Sequence, residues 1–531
     1  MERFFNTAGP VVPTEHYCID PLARVDWQEV RHLIGNKRYF VLHAPRQTGK
    51  TSTLLEMMRV LNQEGNYACA YANIEAAQAA RGDVTQGIPA ACSVIARSLA
   101  LYLDQPEMDV WYRSEGQAIE TQDRLTQLLK QWAAVSAKPA VLFLDEVDAL
   151  VGDTLISLLR QIRAGYAQRP AAFPQSIVLC GVRDVRDYRI HQGGEIITGG
   201  SAFNIKTESL RMGNFNREET EALWRQHTEE TGQVFASAIF PELWEDTAGQ
   251  PWLVNALGYE LTWKNRNKRD RSQPIALSDY WQARENLIQS RATHLDQLTD
   301  KLKEPRVHNV VSALLSGERD ILNVPPADIE YVADLGLIFT HPQIGIANRV
   351  YREVIPRELT WAAQVMISNQ ELAWYIAAGH RLDMPKLLAA FQQFFREHAD
   401  IWEKGFSYSE AASQLLMQAF LQRVINGGGR LSREYGLGYR RTDLFIEWPL
   451  DERQGLHGPI QRIVIELKLL RGPLETVIAK GLQQTADYVQ RVGADEAHLV
   501  IFDRDSDKSW EEKIWRRQEQ HGGGTISVWG A

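Results

Sequence analysis

The chain has 531 residues, which at about 150 residues per domain predicts three or four domains. Hydrophobic residues make up 44% and charged residues 24%, a balance that argues against disorder, collagen and a coiled-coil rod. The sequence has no run of the about 18–20 apolar residues that a membrane helix needs and no signal-peptide pattern at Met1–Asn6, so we expect a cytoplasmic protein. The net charge of −9 does not favour nucleic acid, although it leaves room for a local basic groove.

The cysteine pattern does not favour a disulfide framework or a structural zinc site. The four cysteines are Cys18, Cys69, Cys92 and Cys180, and none of them forms a Cys-x-x-Cys pair. We expect these side chains to pack as small hydrophobic groups.

Apolar, strand-like runs alternate with helical stretches through the first part of the chain, which is typical of a sheet covered by helices. The predicted strands are Tyr39–His43, Ala68–Ile74, Ala140–Leu144, Ile177–Cys180 and Phe203–Ile205. These strands predict an α/β core over residues 1–215, followed by helices over 216–290.

The middle of the chain has a different pattern. Residues 291–360 contain two helical stretches and then two short strand candidates, Leu337–Thr340 and Ile344–Ala347, which predicts a winged-helix-like unit. Residues 361–404 are predicted to form a helical linker. Because Arg349, Arg352 and Arg357 lie among residues of mixed charge, this unit could contact DNA or pack against protein.

Residues 405–531 predict a second α/β domain. A helix over Tyr408–Ile425 is followed by a glycine-rich break and then by strand candidates. The predicted strands are Thr442–Trp448, Ile463–Leu467 and His498–Phe502, with a helix over Pro473–Val492 before the last of them.

A candidate phosphate-binding loop follows the first strand. The loop and the start of the next helix comprise Ala44, Pro45, Arg46, Gln47, Thr48, Gly49, Lys50, Thr51 and Ser52. Backbone N–H groups at a helix N-terminus, a lysine and a hydroxyl for Mg²⁺ are what such a loop needs, and Gly49, Lys50 and Thr51 supply that end. Ala44 stands where the usual pattern has its first glycine, and alanine fits there if its φ is negative.

Two further positions strengthen the prediction of a nucleotide site. Asp145 and Glu146 follow an apolar strand, where an aspartate can hold Mg²⁺ and a glutamate can orient the attacking water. Arg183 follows the next strand and is a candidate γ-phosphate sensor, with a salt-bridged surface arginine as the alternative. The structural alternative for Asp145 and Glu146 is an acidic strand end, which the neighbouring phosphate-binding loop makes the weaker interpretation.

With these residues, the first 360 or so positions resemble AAA-like ATPases of the signal-transduction and archaeal-ATPase type. The resemblance implies a P-loop NTPase α/β sandwich with a helical lid, which binds ATP and Mg²⁺. It implies that Thr51 and Asp145 hold the metal, and that Tyr17–Ile19 lie near the adenine.

A second group of polar residues lies on the C-terminal strands. Glu466 and Lys468 are two residues apart on one predicted strand and therefore share a face, and Asp443 on a neighbouring strand can join them. Two carboxylates placed together favour a bound divalent cation, which could polarise a phosphodiester. The lysine could position water or stabilise developing negative charge.

This arrangement resembles the PD-(D/E)XK nuclease superfamily over about residues 405–505, with Thr442 in place of the proline. The resemblance implies a restriction-endonuclease-like α/β domain with Mg²⁺ or Mn²⁺ at Asp443, Glu466 and Leu467. It also implies roles for Glu410 in the preceding helix and for Gln484 and Tyr488, which are spaced i and i+4 on one helix face.

Structural alternatives exist for each of these residues. Glu410 completes a capping-box spacing, and Asp443 could pair with Arg440 or Arg441. Glu466 and Lys468 could form a partner-facing pair on an edge strand. Arg430 and Arg433 could contact phosphates or form a solvated basic face.

The sequence therefore predicts an α/β multidomain, ATP-regulated nuclease that acts as an endonuclease or exonuclease on DNA rather than RNA. Possible further partners are a second copy of the chain and a protein trigger, and no membrane is expected. By analogy with this domain pairing, a role in prokaryotic defence or mobile elements is a hypothesis. One alternative is a nucleotide-dependent switch or scaffold whose C-terminal domain binds without cutting, and another is a transport or chaperone-type ATPase with an adaptor.

Overall fold

The structure, a computed structural model, describes most of the chain. The described residues are 2–183, 189–192, 195–198, 206–290, 293–316, 321, 324–359, 375–405, 416–418, 420–421, 429–436, 441–451, 456, 458–503, 505 and 507–531. The chain divides into two compact units, of which the first comprises Met1–Ser290 with Glu330–Thr340, and the second Arg291–Ile329 with His341–Ala531.

The first unit contains a five-stranded parallel sheet with the strand order β2-β3-β4-β1-β7. A short hairpin of β5 and β6 lies outside this sheet. The strands are β1 (Tyr39–His43), β2 (Ala68–Asn73), β3 (Ala140–Asp145), β4 (Ser176–Gly181), β5 (Arg189–Gln192), β6 (Glu195–Thr198) and β7 (Lys206–Arg211). Because the strands are parallel, the carboxyl ends of β1, β3 and β4 meet at one edge, where the candidate site residues follow them.

Helices cover both faces of this sheet and continue beyond it. They are α1 (Trp27–Gly35), α2 (Lys50–Glu64), α3 (Val84–Leu103), α4 (Pro106–Ser114), α5 (Thr121–Val135), α6 (Gly152–Ala164), α7 (Arg217–Thr231), α8 (Ile239–Thr247), α9 (Pro251–Tyr259) and α10 (Leu277–Gln289). Local signals fix several ends: Asp26 caps α1, and Asn216 with Glu219 forms a capping box on α7. Shorter helical turns occur at Pro21–Arg24, Glu75–Ala80, Gly116–Ala118, Val147–Ala149, Tyr166–Gln168, Glu260–Lys264 and Arg266–Arg269.

The core of this unit lies on both sides of the sheet. Along β3, Leu142 and Leu144 pack into a cluster with α3, α5 and α6, while Val141 and Phe143 pack with α1 and α2. Burial on both faces explains the continuous apolar runs in these strands. Among the described residues, α3 is the one helix whose length and composition would allow it to cross a membrane, and its buried side is part of the first cluster.

The second unit contains a six-stranded mixed sheet with the order β12-β13-β14-β15-β17-β16. The numbered strands of the remaining chain are β8 (Ile338–Phe339), β9 (Gly345–Ile346), β10 (Ile376–Ala377), β11 (Arg381–Leu382), β12 (Arg430–Gly436), β13 (Arg441–Pro449), β14 (Ile460–Leu469), β15 (Glu496–Phe502), β16 (Trp515–His521) and β17 (Gly524–Gly530). The pairs β14–β15 and β15–β17 are parallel, and the other pairs of the six-stranded sheet are antiparallel.

The helices of the remaining chain are α11 (Thr293–Leu302), α12 (Pro305–Ser316), α13 (Pro326–Asp334), α14 (Arg349–Leu359), α15 (Met384–Gly405), α16 (Leu474–Val492) and α17 (Trp510–Lys513), with a helical turn at Ala378–His380. Aromatic side chains of α15, including Phe391 and Phe395, pack with Ile463, Ile465 and other residues of the sheet.

The predicted α/β architecture agrees with these elements. The parallel sheet of the first unit and the strand–helix–strand sequence β14-α16-β15 confirm the two predicted sheets. The first of the two helical stretches predicted in residues 291–360 is instead two helices, because Pro305 begins α12. The strand prediction at Phe203–Ile205 and most of the helix prediction at Tyr408–Ile425 lie outside the described residues. The domain boundaries within 216–404 stay predictions.

Candidate functional sites

The loop between β1 and α2 has the backbone of a phosphate-binding turn. Its left-handed residues are Gln47, with φ 56°, and Gly49, with φ 95°. The Thr48 hydroxyl closes the turn by donating to the Pro45 carbonyl at 2.7 Å. Ala44 is not among the residues with positive φ, so alanine fits where the usual motif has glycine.

Lys50 is held inside this loop. Its side chain is 5% exposed, and Nζ donates to the carbonyl oxygens of Ala44 and Pro45, both at 3.1 Å. A buried ammonium needs such partners, and phosphate oxygens could replace the two carbonyls. Arg46 is exposed, and the Ser52 hydroxyl accepts a hydrogen bond from Val11 N at 3.0 Å.

Asp145 is the fully buried acid at the end of β3. Its Oδ2 accepts hydrogen bonds from the Thr51 hydroxyl at 2.8 Å and the Tyr71 hydroxyl at 2.9 Å, and its Oδ1 accepts from Glu146 N at 2.9 Å. The sequence predicted that Thr51 and Asp145 hold the same metal ion, and Tyr71 was not among the predicted site residues. The hydroxyl and carboxylate oxygens are ligands that Mg²⁺ prefers, so these two residues fit the predicted metal.

Glu146 follows Asp145 in a left-handed conformation with φ 55°. Burial and the neighbouring carboxylate of Asp148 raise the pKa of Glu146, while the positive charge of Lys50 acts in the opposite direction. A half-buried carboxylate with a raised pKa beside this loop is suited to accept a proton from water.

Arg183 lies two residues beyond the end of β4, and its guanidinium lies over the Tyr331 ring, 4.8 Å from the centroid. Nearby, Arg211 donates to the Ala333 carbonyl at 2.8 Å. Gly336 lies so close to the phosphate loop that a Cβ there would be 2.7 Å from the Pro45 ring. The segment Glu330–Thr340 therefore packs against the loop and holds Arg183, whose role as a phosphate sensor stays a prediction.

A cavity of about 130 Å³ opens beside the loop. Its walls include Thr48 and Gly49 of the loop, the predicted adenine neighbours Tyr17, Cys18 and Ile19, and Trp252 of α9. The backbone of Cys18 is already paired, because Gln226 donates to its carbonyl at 2.8 Å and accepts from its N–H at 3.2 Å. Cys18 itself is half-buried, whereas the other three cysteines are buried.

Gln250 connects α9 with the loop between β1 and α2. Its Oε1 caps α9 by accepting from Leu253 N at 2.6 Å, and its Nε2 lies 3.5 Å from the Gln47 carbonyl. Pro251 occupies the first turn of α9, where proline is favoured.

The second candidate site lies on β14. Glu466 is 2% exposed, and Lys468 Nζ donates to its Oε1 at 2.6 Å. The prediction that these two side chains share a face is confirmed. Ile463, Ile465 and Leu467 point to the opposite face, into the main core of this unit.

Helix α16 covers the face with Glu466. Tyr488 packs with Phe445 and Val464, and Val464 is two residues before Glu466 on the same face of β14. Because α16 runs antiparallel to β14, the half-buried Gln484 lies one turn nearer the carboxyl end of that strand. The structure therefore places Glu466, Lys468, Gln484 and Tyr488 on one side of the sheet.

The remaining residues of this site are described in part. Asp443 lies in β13 immediately before Leu444, which pairs with Ile465, so its backbone is adjacent to that of Glu466 in the register. Glu410 lies outside the described residues. Leu467 contributes its side chain to the core, which leaves its predicted role as a metal ligand to its carbonyl. Among the side chains that the structure describes, no group of three or more His, Cys, Asp or Glu residues could hold a metal.

No protein-family model matches the chain, and neither does any curated protein. Solved structures that are similar to it include the Walker-type ATPase PABY2304 of Pyrococcus abyssi, with 14% identity and a TM-score of 0.45 over 66% of this chain and 99% of that chain. Cdc6p from Pyrobaculum aerophilum is 12% identical, with a TM-score of 0.35 over 75% and 93% of the two chains. The RuvB Holliday junction branch migration motor of Thermotoga maritima is 12% identical, with a TM-score of 0.32 over 62% and 95%. At these values the similarities assign neither a family nor an activity.

Proposed function

We propose that the first unit binds ATP with Mg²⁺ and hydrolyses it. The observation that carries this proposal is the 2.8 Å hydrogen bond between the Thr51 hydroxyl and the buried carboxylate of Asp145. This contact joins the start of the helix after the phosphate loop to the acidic end of β3, which is where a P-loop site needs its two metal-holding groups.

The side chains of this site have separate roles in binding the phosphates, holding the metal and activating water. Backbone N–H groups at the start of α2 and the ammonium of Lys50 bind the phosphates, and Lys50 exchanges its two carbonyl partners for phosphate oxygens. Thr51 and Asp145 hold Mg²⁺, which when bound neutralises charge that develops on the phosphates. Glu146 orients the attacking water and accepts its proton, and Arg183 contacts the γ-phosphate after leaving Tyr331.

Binding and turnover separate these roles. We expect the wild-type protein to bind and hydrolyse ATP, Lys50→Ala to lose binding, and Glu146→Gln to bind ATP but to lose at least about 100-fold in turnover. Lys138→Ala removes an exposed lysine and serves as the matched control. A wild-type protein that binds no nucleotide, measured by calorimetry, would reject the proposal.

A second activity is supported by the C-terminal site, and we propose a metal-dependent nuclease that acts on DNA rather than RNA. A buried glutamate that pairs with a lysine at 2.6 Å, under a helix with Gln484 and Tyr488, provides acidic and basic groups on one face. Asp443 and Glu466, with the Leu467 carbonyl, would bind Mg²⁺ or Mn²⁺, and Glu410 would support the site. Lys468 would stabilise negative charge on the scissile phosphate.

The two activities would be coupled in one cytoplasmic protein. ATP binding or hydrolysis would gate the nuclease or promote assembly with a second copy of the chain, and a protein partner could supply the trigger. If the C-terminal unit only binds nucleic acid or protein, the chain is instead a nucleotide-dependent switch or scaffold.

Cleavage assays distinguish these possibilities. Linear, circular and single-stranded DNA and RNA are incubated with Mg²⁺ or Mn²⁺, with and without ATP. We expect Glu466→Gln to abolish cleavage and to leave ATP turnover intact. Glu511→Gln is a matched control, because Glu511-Glu512-Lys513 repeats the same spacing on the short helix α17. Cleavage that survives in Glu466→Gln would reject the nuclease assignment, and Lys50→Ala reports whether ATP controls cleavage.

A further inference from the structure

Asn255 is a buried polar residue in the wall of the cavity beside the phosphate loop. It lies on α9, one turn after Pro251, and only 9% of the residue is exposed. Its Nδ2 donates to the Pro251 carbonyl at 2.8 Å. Its Oδ1 is buried and has no hydrogen-bond partner among the residues that the structure describes.

The hydrogen bond to Pro251 fixes which atom of the amide is available. If the amide were flipped, Oδ1 would face the Pro251 carbonyl, and two acceptors would oppose each other. Asn255 therefore offers an acceptor, and a buried acceptor without a donor is unfavourable. A ligand that brings a donor to this position would relieve that cost.

Several other polar groups in the cavity wall already have hydrogen-bond partners. The backbone of Cys18 is paired with Gln226, and the Trp252 indole donates to the Thr7 carbonyl at 3.0 Å. The two terminal nitrogens of Arg24 donate to the Thr48 and Gly213 carbonyls, and its Nε is a buried donor. Asn255 thus supplies the buried, unpartnered side-chain acceptor among the described cavity residues.

We propose that Asn255 selects adenine by accepting a hydrogen bond from the 6-amino group of the base, an inference that rests on the proposed binding of ATP. The loop end of the cavity, at Thr48 and Gly49, takes the phosphates, which leaves the base for the region lined by Ile19, Trp252 and Asn255. A guanine or hypoxanthine base in the same position has a carbonyl oxygen there, which would oppose the Asn255 oxygen.

The test compares ligands that differ only at position 6 of the purine. Binding of ADP, inosine diphosphate and purine riboside diphosphate to the full-length protein is measured by titration calorimetry, so that no turnover is needed. We expect ADP to bind about tenfold or more tightly than either analogue, the size of one lost buried hydrogen bond. Because the wild-type protein is used throughout, this comparison does not depend on the folding of a variant.

Asn255→Ala then tests the residue. In this variant we expect the affinities of ADP and purine riboside diphosphate to agree within about twofold, while Asn267→Ala, at an exposed position, keeps the wild-type preference. Equal wild-type affinity for the three ligands, or a preference that persists in a folded Asn255→Ala protein, would overturn the inference and leave ATP binding intact. A wild-type protein that binds none of them would instead reject the proposed function, and the inference with it.

Discussion

At the scale of single residues, we expect the ionisation of Glu146 to control how ATP turnover depends on pH. Burial and Asp148 raise its pKa above the usual value of about 4.3. If Glu146 must be ionised to accept a proton, turnover is lost as the pH falls through this raised pKa, at a higher pH than for an ordinary glutamate. The measurement is kcat at saturating MgATP as a function of pH.

Asp148→Asn provides the matching variant, because it removes the neighbouring charge and retains a side-chain oxygen that can accept from Val182 N. We expect the acidic limb of the profile to move to lower pH in this protein. A limb that stays in place would mean that another group controls the rate.

Tyr71 is a positioning residue in the proposed ATPase site. Tyr71→Phe removes one of the donors to the buried Asp145 carboxylate, a bond worth about 1.5–3 kcal/mol when one partner is charged. Because Tyr71 contacts Asp145 through its hydroxyl, we expect kcat to fall about tenfold with little change in KM for ATP.

The control for Tyr71 is Tyr102→Phe, which removes a hydroxyl from the ring that packs edge-on against Tyr71. This variant should retain wild-type kcat. If both variants lower kcat equally, or if Tyr71→Phe changes only KM, the positioning role is wrong.

The site residues that were predicted from sequence are those whose role is indicated by their immediate neighbours in the chain. Gly49, Lys50 and Thr51 are contiguous, and Asp145 ends an apolar strand, so local pattern was enough. Tyr71 contacts Asp145 across 74 residues, and Gln226 contacts Cys18 across 208. Such pairs depend on strand order and helix packing, for which one sequence carries no local signal. The shared face of Glu466 and Lys468 was predictable because side chains alternate between the two faces of a strand, a pattern that can be read from neighbouring residues alone.

At the scale of elements, we expect the contact between the phosphate loop and the segment Glu330–Thr340 to influence both stability and ATP affinity. Gly336 has φ 75°, and a Cβ there would lie 2.7 Å from the Pro45 ring. Gly336→Ala should therefore both strain the turn and displace the loop. We expect a lower melting temperature and an ATP affinity reduced by about tenfold, since about 1.4 kcal/mol corresponds to a factor of ten.

Gly232→Ala separates the two effects. Gly232 has the same φ of 75° at the end of α7, but a Cβ there would meet nothing within 4 Å. This variant should lose about 1 kcal/mol of stability through backbone strain and keep its ATP affinity. Equal ATP affinities of the two variants in calorimetry would show that the Pro45 contact does not influence the loop.

Three of the strands that the sequence did not predict share a position in the fold. β7, β12 and β16 are all edge strands of their sheets. β16 reads Trp-Arg-Arg-Gln-Glu-Gln-His and β7 reads Lys-Thr-Glu-Ser-Leu-Arg, without the apolar runs of β1 or β3. These three edge strands carry polar side chains, so hydrophobicity does not identify them. The rule is not general, because the apolar edge strand β2 was predicted and the inner strand β17 was not.

At the scale of the whole molecule, the two compact units have separate hydrophobic cores. Each core is large enough to unfold as its own cooperative unit, so we expect two transitions in a calorimetric scan. A nucleotide that binds only the first unit should raise one transition and leave the other in place. At 100 times its Kd, MgADP would add about 2.7 kcal/mol to that unit.

Lys50→Ala decides which transition belongs to the nucleotide site. In this variant the MgADP-dependent shift should disappear, while the second transition keeps its wild-type temperature with and without nucleotide. A single transition, or two that rise together with MgADP, would mean that the units unfold as one. In that case nucleotide binding stabilises the unit that carries Glu466 as strongly as its own. Coupling of ATP to cleavage would then arise from shared stability, whereas independent transitions would require a specific conformational signal between the units.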